Sequence, residues 1–162
     1  MKKLLFIIAI AASSTAFAQS TMKEDVDIIQ GIYGKSKKEL VNSYMQLTGT
    51  QATAFWKVYD EYEAERKALG QKKIQLINDY AEHYVSLTDA KADELAKATL
   101  KNNMDFEKLQ AKYYEKTKVV IGAINAAKFI QAEVYLQTTV RAAIQDAIPF
   151  IGDIDRAKPA QH

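Results

Sequence analysis

The stretch from Leu47 to Leu87, LTGTQATAFWKVYDEYEAERKALGQKKIQLINDYAEHYVSL, constrains this chain more than any other. Phe55, Tyr59, Tyr62, Arg66, Leu69, Lys73, Leu76, Tyr80 and Tyr84 step along it by fours and threes. That spacing places them on one side of a continuous helix. Nearly forty residues at about 1.5 Å each make a rod roughly 55–60 Å long. Such a rod is longer than a compact domain of this size is wide, so the spacing predicts an elongated molecule.

The ends of the rod carry their own signals. Thr48 with Gln51 fits the capping box S/T-x-x-E/Q, in which the two side chains and the first-turn amides satisfy each other. Leu47 precedes the cap, where an apolar residue packs on the first turn. Gly70 costs about 1 kcal/mol relative to alanine inside a helix. The apolar phase is the same on both sides of it, which predicts a weak point or bend and not an end. Leu87-Thr88-Asp89 repeats the start signal, with Asp89 favourable near the positive end of a new helix. Lys91 at the third position leaves this second box incomplete.

Met1 to Ala18 reads as a secretory signal: Lys2 and Lys3, an apolar run from Leu4 to Ala12, and the A-x-A site Ala16-Phe17-Ala18. The run is too short to span a bilayer, and no later segment reads as apolar enough to cross one. Cleavage removes two lysines and no acids, leaving 20 basic residues against 20 acidic ones. A near-neutral mature surface excludes the basic stripe that nucleic acid needs. With no cysteine, the chain has neither disulfides nor thiolate chemistry. Residues 19–151 are expected to form one all-helical domain, and residues 152–162 a flexible tail.

Val26, Ile28, Ile29, Ile32 and Tyr33 form one apolar group before the rod, and Leu40, Val41, Tyr44 and Met45 another. Gly31, Gly34 and Lys35-Ser36 mark a break between them. Beyond the rod, Leu95, Thr99, Asn102, Phe106, Leu109, Tyr113 and Val120 predict a third helix over about 89–120, with Gly122 as its stop. Asn102 either fixes register there, as a buried asparagine does in a coiled coil, or faces water. Phe129, Ile130, Val134, Leu136, Val140, Ile144 and Ile148 predict a fourth helix with a broad apolar face, ended by Pro149. The short link at Leu87 forces the second and third helices into a hairpin. The expected fold is therefore all-α, an elongated four-helix arrangement on a long antiparallel hairpin, with a homodimer covering leftover apolar seam.

Leu47-Thr48-Gly49-Thr50-Gln51 matches the LTxxQ motif of the Spy/CpxP family of bacterial periplasmic proteins, and Leu87-Thr88 begins a degenerate second copy. The signal, length, helical pattern and absence of cysteine also resemble that family. The resemblance implies a curved dimeric helical cradle in the periplasm, acting as an ATP-independent chaperone or as a modulator of envelope-stress signalling. It gives Leu47, Thr48, Gln51, Leu87 and Thr88 a role in helix capping and packing. Its implied partners are unfolded or stress-exposed envelope proteins; the rival functions are an adaptor for an envelope-stress sensor and a structural helical protein without clients.

Nine tyrosines and one tryptophan stand among lysines and glutamates, a mixture suited to holding unfolded segments by apolar contact and cation–π attraction. Tyr59, Tyr62, Phe106 and Tyr113 occupy seam positions and read first as core. Trp56 and Tyr114 lie off the seams, and with Tyr59 and Tyr62 they make up the candidate client-contact set. Asp60, Glu61, Glu63 and Glu65, interleaved with Arg66 and Lys67, resemble a solvated helix face. His83 with Asp79 is half a metal site at most, and Met22, Met45 and Met104 are scattered. No metal or cofactor is expected. No phosphate-cradling loop or nucleophile elbow is visible, so the chain is not expected to be an enzyme.

Overall fold

The computed structural model describes residues 25–151. The signal at 1–18 and the tail at 152–162 lie outside the described residues. Within them there are four α-helices, a long helix pair and no strand.

Helix α1 spans Asp25–Tyr33 and stops at Gly34, whose φ of 63° suits glycine. Helix α2, Lys37–Met45, opens on a complete capping box at the expected break. The Glu39 amide donates to Ser36 Oγ, and the Ser36 amide donates to a Glu39 carboxylate oxygen at 2.8 Å. Gln46 ends α2 in the left-handed conformation, its amide donating to the Asn42 carbonyl at 3.1 Å. Gly49 is left-handed as well, so the chain reverses within a few residues before the next helix.

Helix α3, Gly49–His83, runs 35 residues, about 52 Å, through Gly70 without a break. A short 3-10 turn, Tyr84–Ser86, leads to α4, Asp89–Ala147. Gly122, at φ 78° and ψ 162°, divides α4 into a first limb (89–121) and a second (123–147). That conformation is open essentially to glycine alone. The stop expected at Gly122 is thus a one-residue break between two limbs.

Phe55, Tyr59, Tyr62, Arg66, Gly70 and Ile77 are the buried positions of α3. They face Phe106, Leu109, Tyr113 and Ile121 from the first limb and Ala126, Phe129, Leu136 and Val140 from the second. Contacts pair Glu61 with Lys116, Glu65 with Lys112, Leu69 with Asn102 and Asp79 with Lys91. Aromatic rings meet edge-on where the limbs converge. Phe55 and Phe129 lie 5.3 Å apart between centroids, Tyr62 and Phe129 5.4 Å, and Tyr62 and Tyr113 5.3 Å. Each such pair contributes about 0.5–1.5 kcal/mol beyond the area it buries. Asn102 is buried in this seam and donates to the Leu69 carbonyl at 3.2 Å.

The expectation that no later segment is apolar enough to cross a membrane does not hold. By length and composition, α4 contains a window apolar enough to cross a membrane, with mean hydropathy 1.3. Alanines and exposed aliphatic side chains such as Val119, Ile124 and Val134 make it so. Phe129, Leu136 and Val140 of the same helix are packed into the core cluster.

Candidate functional site

Glu133 interrupts the apolar stripe of the second limb, between Phe129 and Leu136, and is 2% exposed. A carboxylate in that position needs partners, because an unpaired buried charge costs several kcal/mol. Its Oε2 accepts from Lys37 Nζ at 2.6 Å and from the Tyr62 hydroxyl at 2.8 Å. Lys37 Nζ also donates to Glu63 Oε1 at 2.6 Å, and Arg66 Nε donates to the same oxygen at 2.9 Å. Two cations and two anions from α2, α3 and α4 so neutralise each other inside the protein. Lys37 also stands over the Tyr62 ring, 5.2 Å from its centroid.

The cluster shifts its neighbours. Burial pushes the Glu63 carboxyl up, but Lys37 and Arg66 outweigh that and hold it below the ordinary glutamate value. Burial, reinforced by the glutamates, drives the Tyr59 and Tyr62 phenols well above theirs. Glu133 Oε1 has no hydrogen-bond partner among the described residues, and a cavity of about 20 Å³ lies beside it. The solvated face expected at 60–67 is accordingly corrected for Glu63 and Arg66, which point inward. Glu61 and Glu65 do remain on the surface, paired with Lys116 and Lys112.

The motif residues divide. Leu47 is half-buried against the core. Thr48 is the N-cap of α3 but makes no side-chain cap bond, and Gln51 is exposed, so the capping box expected there does not form. The cause is Gly49: its φ of 58° turns Thr48 away from the first-turn amides, and the Ala52 amide reaches the Thr48 carbonyl only at 3.4 Å. The incomplete second copy caps instead. Thr88 Oγ1 accepts from the Lys91 amide at 3.3 Å, and the Ala92 amide meets the Thr88 carbonyl at 2.9 Å. Leu87, half-buried, precedes it.

Of the proposed client-contact residues, Tyr59 and Tyr62 are each 2% exposed and have no face to offer. They stand on the side of α3 that meets the second limb, so their assignment to a client surface is corrected. Trp56 is half-buried, edge-on to Phe55 and Tyr59, with Lys38 5.1 Å from its centroid. Tyr114 lies apart from them on the first limb of α4, beneath Lys118.

The aromatic groups that sequence spacing missed are Tyr33, Tyr44 and Tyr135. They line an open slot of about 400 Å³ between α1, α2 and the second limb, with Leu40, Val41 and Leu136 as its floor. Tyr44 donates to Gln131 at 3.1 Å, and Lys128 stands 5.1 Å from its ring centroid. Tyr33 is hydrogen-bonded to Thr139 at 3.3 Å. Tyr135 is 62% exposed. The available signal was the placement of Tyr33 and Tyr44 at the edges of the two early apolar groups.

His83 Nδ1 lies 2.8 Å from the Asp79 carbonyl and 3.0 Å from its carboxylate. Among the described residues no three histidine, aspartate or glutamate side chains gather as metal ligands. No protein-family model, curated protein or solved structure matches the chain.

Proposed function

We propose that the chain is an ATP-independent chaperone of the Spy/CpxP type that holds unfolded segments of envelope proteins in the periplasm. In this reading α3 and the first limb of α4 form the long antiparallel hairpin of an elongated scaffold, and two copies pair. The observation that carries it is the slot of Tyr33, Tyr44 and Tyr135, an apolar floor rimmed by rings with the Lys128 ammonium beside it. Such a surface takes apolar and aromatic side chains from many sequences, because ring faces and a mobile ammonium impose little geometric selection.

The test is suppression of client aggregation by the chain from residue 19 onward. A heat-unfolded client should scatter less light at a few-fold molar excess of the protein without ATP, and Tyr135→Ser with Tyr44→Ser should lose most of that protection. No protection by the parent chain, or full protection by the double variant, contradicts the proposal.

A further inference from the structure

A second concavity lies away from the tyrosine slot, between the later half of α3, the first limb of α4 and the end of the second limb. It is a half-open trough of about 520 Å³, within the span of about 300–1,000 Å³ typical of small-molecule sites. Its walls are Leu76, Ile77, Leu95, Ile144 and Ile148. Thr99, Asn103 and Gln145 add polar groups to the lining, and three further ones bear on its orientation. Lys73, Asn102 and Arg141 line the trough, Lys73 also borders the small cavity beside Glu133, and Asn102 is bonded to Leu69. The end at Lys73 therefore faces the buried ion cluster, and Leu87 and Ile151 line the opposite, apolar end.

One of these polar groups is buried without a full set of partners, and another is a half-buried cation. Asn102 is 1% exposed, and its Oδ1 has no hydrogen-bond partner among the described residues. Arg141 is half-buried and makes no ion pair among them. A half-buried guanidinium that is unpaired among the described residues, beside an apolar wall, matches the oxygens of a phosphate or carboxylate carried on an alkyl chain. A buried amide oxygen needs a donor, which a hydroxyl on the same head group supplies.

We propose that the trough binds a single-chain lipid with an anionic, hydroxyl-bearing head: the acyl chain lies along the aliphatic walls, the phosphate oxygens meet Arg141, and the hydroxyl donates to Asn102. The site shares no lining residue with the tyrosine slot, so it stands or falls separately from client holding.

The experiment is calorimetric titration of the chain from residue 19 onward with lauroyl lysophosphatidate below its micellar concentration. Uncharged monolauroyl glycerol, cationic dodecylamine and inorganic phosphate are titrated in parallel. Expected are saturable binding of one lysophosphatidate per chain, at least about tenfold weaker binding of the other two lipids, and no binding of phosphate alone. Arg141→Gln should bring lysophosphatidate and monolauroyl glycerol to similar affinity. Ala92→Trp, which fills the trough from its wall, should abolish both while the circular dichroism stays helical; Ala96→Trp serves if that variant does not fold. Equal affinity for the three lipids, phosphate binding as tightly as the lipid, or unchanged binding by Arg141→Gln overturns the proposal. Binding only by a chain ended at Ile151 assigns the trough to the chain's own tail, and self-association lost in Ala92→Trp without lipid binding assigns it to a second copy. Either outcome overturns it too.

Discussion

Lys37 on α2 and Glu133 on the second limb of α4 are 96 residues apart in the chain, yet Nζ and Oε2 meet at 2.6 Å with both side chains almost fully buried. This contact ties the short α2 to the far end of the chain across the ring cluster of Tyr59, Tyr62 and Phe129. Lys37→Met leaves Glu133 buried without its ammonium partner. It should lower unfolding stability by about 3–5 kcal/mol. Lys37→Met combined with Glu133→Leu removes one charge of each sign and leaves Arg66 with Glu63, so most of the loss should return. Urea unfolding of the two variants checks this, and equal losses in both would contradict it.

The helices and their ends were largely legible from spacing, because a long amphipathic stripe follows local periodicity and Gly122 is a local signal. The ion cluster was not, because it joins residues from three helices. Arg66 stands on the same stripe as Tyr59 and Tyr62, and Glu133 sits between Phe129 and Leu136. A charge at a stripe position is the one local sign of a buried partner, but charges of both signs around Glu63 resemble a wet surface equally well. The Ser36–Glu39 box fits the local S/T-x-x-E pattern, beside the break that Gly34 marks. The tyrosine slot is assembled from α1, α2 and α4, so the placement of Tyr33 and Tyr44 at the edges of their apolar groups hints at two of its rings but not at their meeting with Tyr135.

Stability should fall on both sides of neutrality. Glu63 has its carboxyl held below 4.5, its ordinary value, in the folded state. Its contribution is therefore complete above 4.5 and is lost as pH falls from there toward the folded value. The raised phenols of Tyr59 and Tyr62 contribute fully below their ordinary 10.0, and that contribution is lost as pH rises beyond it. Urea midpoints measured across pH should show both limbs, and Glu63→Gln should make the acid limb shallower. An acid limb of undiminished slope in that variant would show that Glu63 is not responsible.

The two copies of the motif should differ in energetic weight. Thr88→Ala loses a real cap bond and should cost about 1 kcal/mol. Thr48→Ala loses none and should stay within about 0.5 kcal/mol of the parent. Thermal unfolding of the single variants distinguishes them, and the reverse ranking would mean that Thr48 does cap.

Gly122→Ala tests the break in α4. A methyl group there meets nothing within 4 Å, so any loss comes from the backbone at φ 78° and ψ 162°. The expected cost is about 1–3 kcal/mol. A neutral or stabilising effect would mean that α4 readily straightens through this residue.

The central functional claim is that unfolded segments are held at the tyrosine slot. Site-specific photocrosslinking tests it most directly, with benzoylphenylalanine placed at Tyr135 and, as a control, at Val85, which is 97% exposed and outside the slot. The account predicts crosslinks to an unfolded client from position 135, absent with the folded client and far weaker from position 85. Equal crosslinking from both positions, or crosslinking from 85 alone, would contradict it.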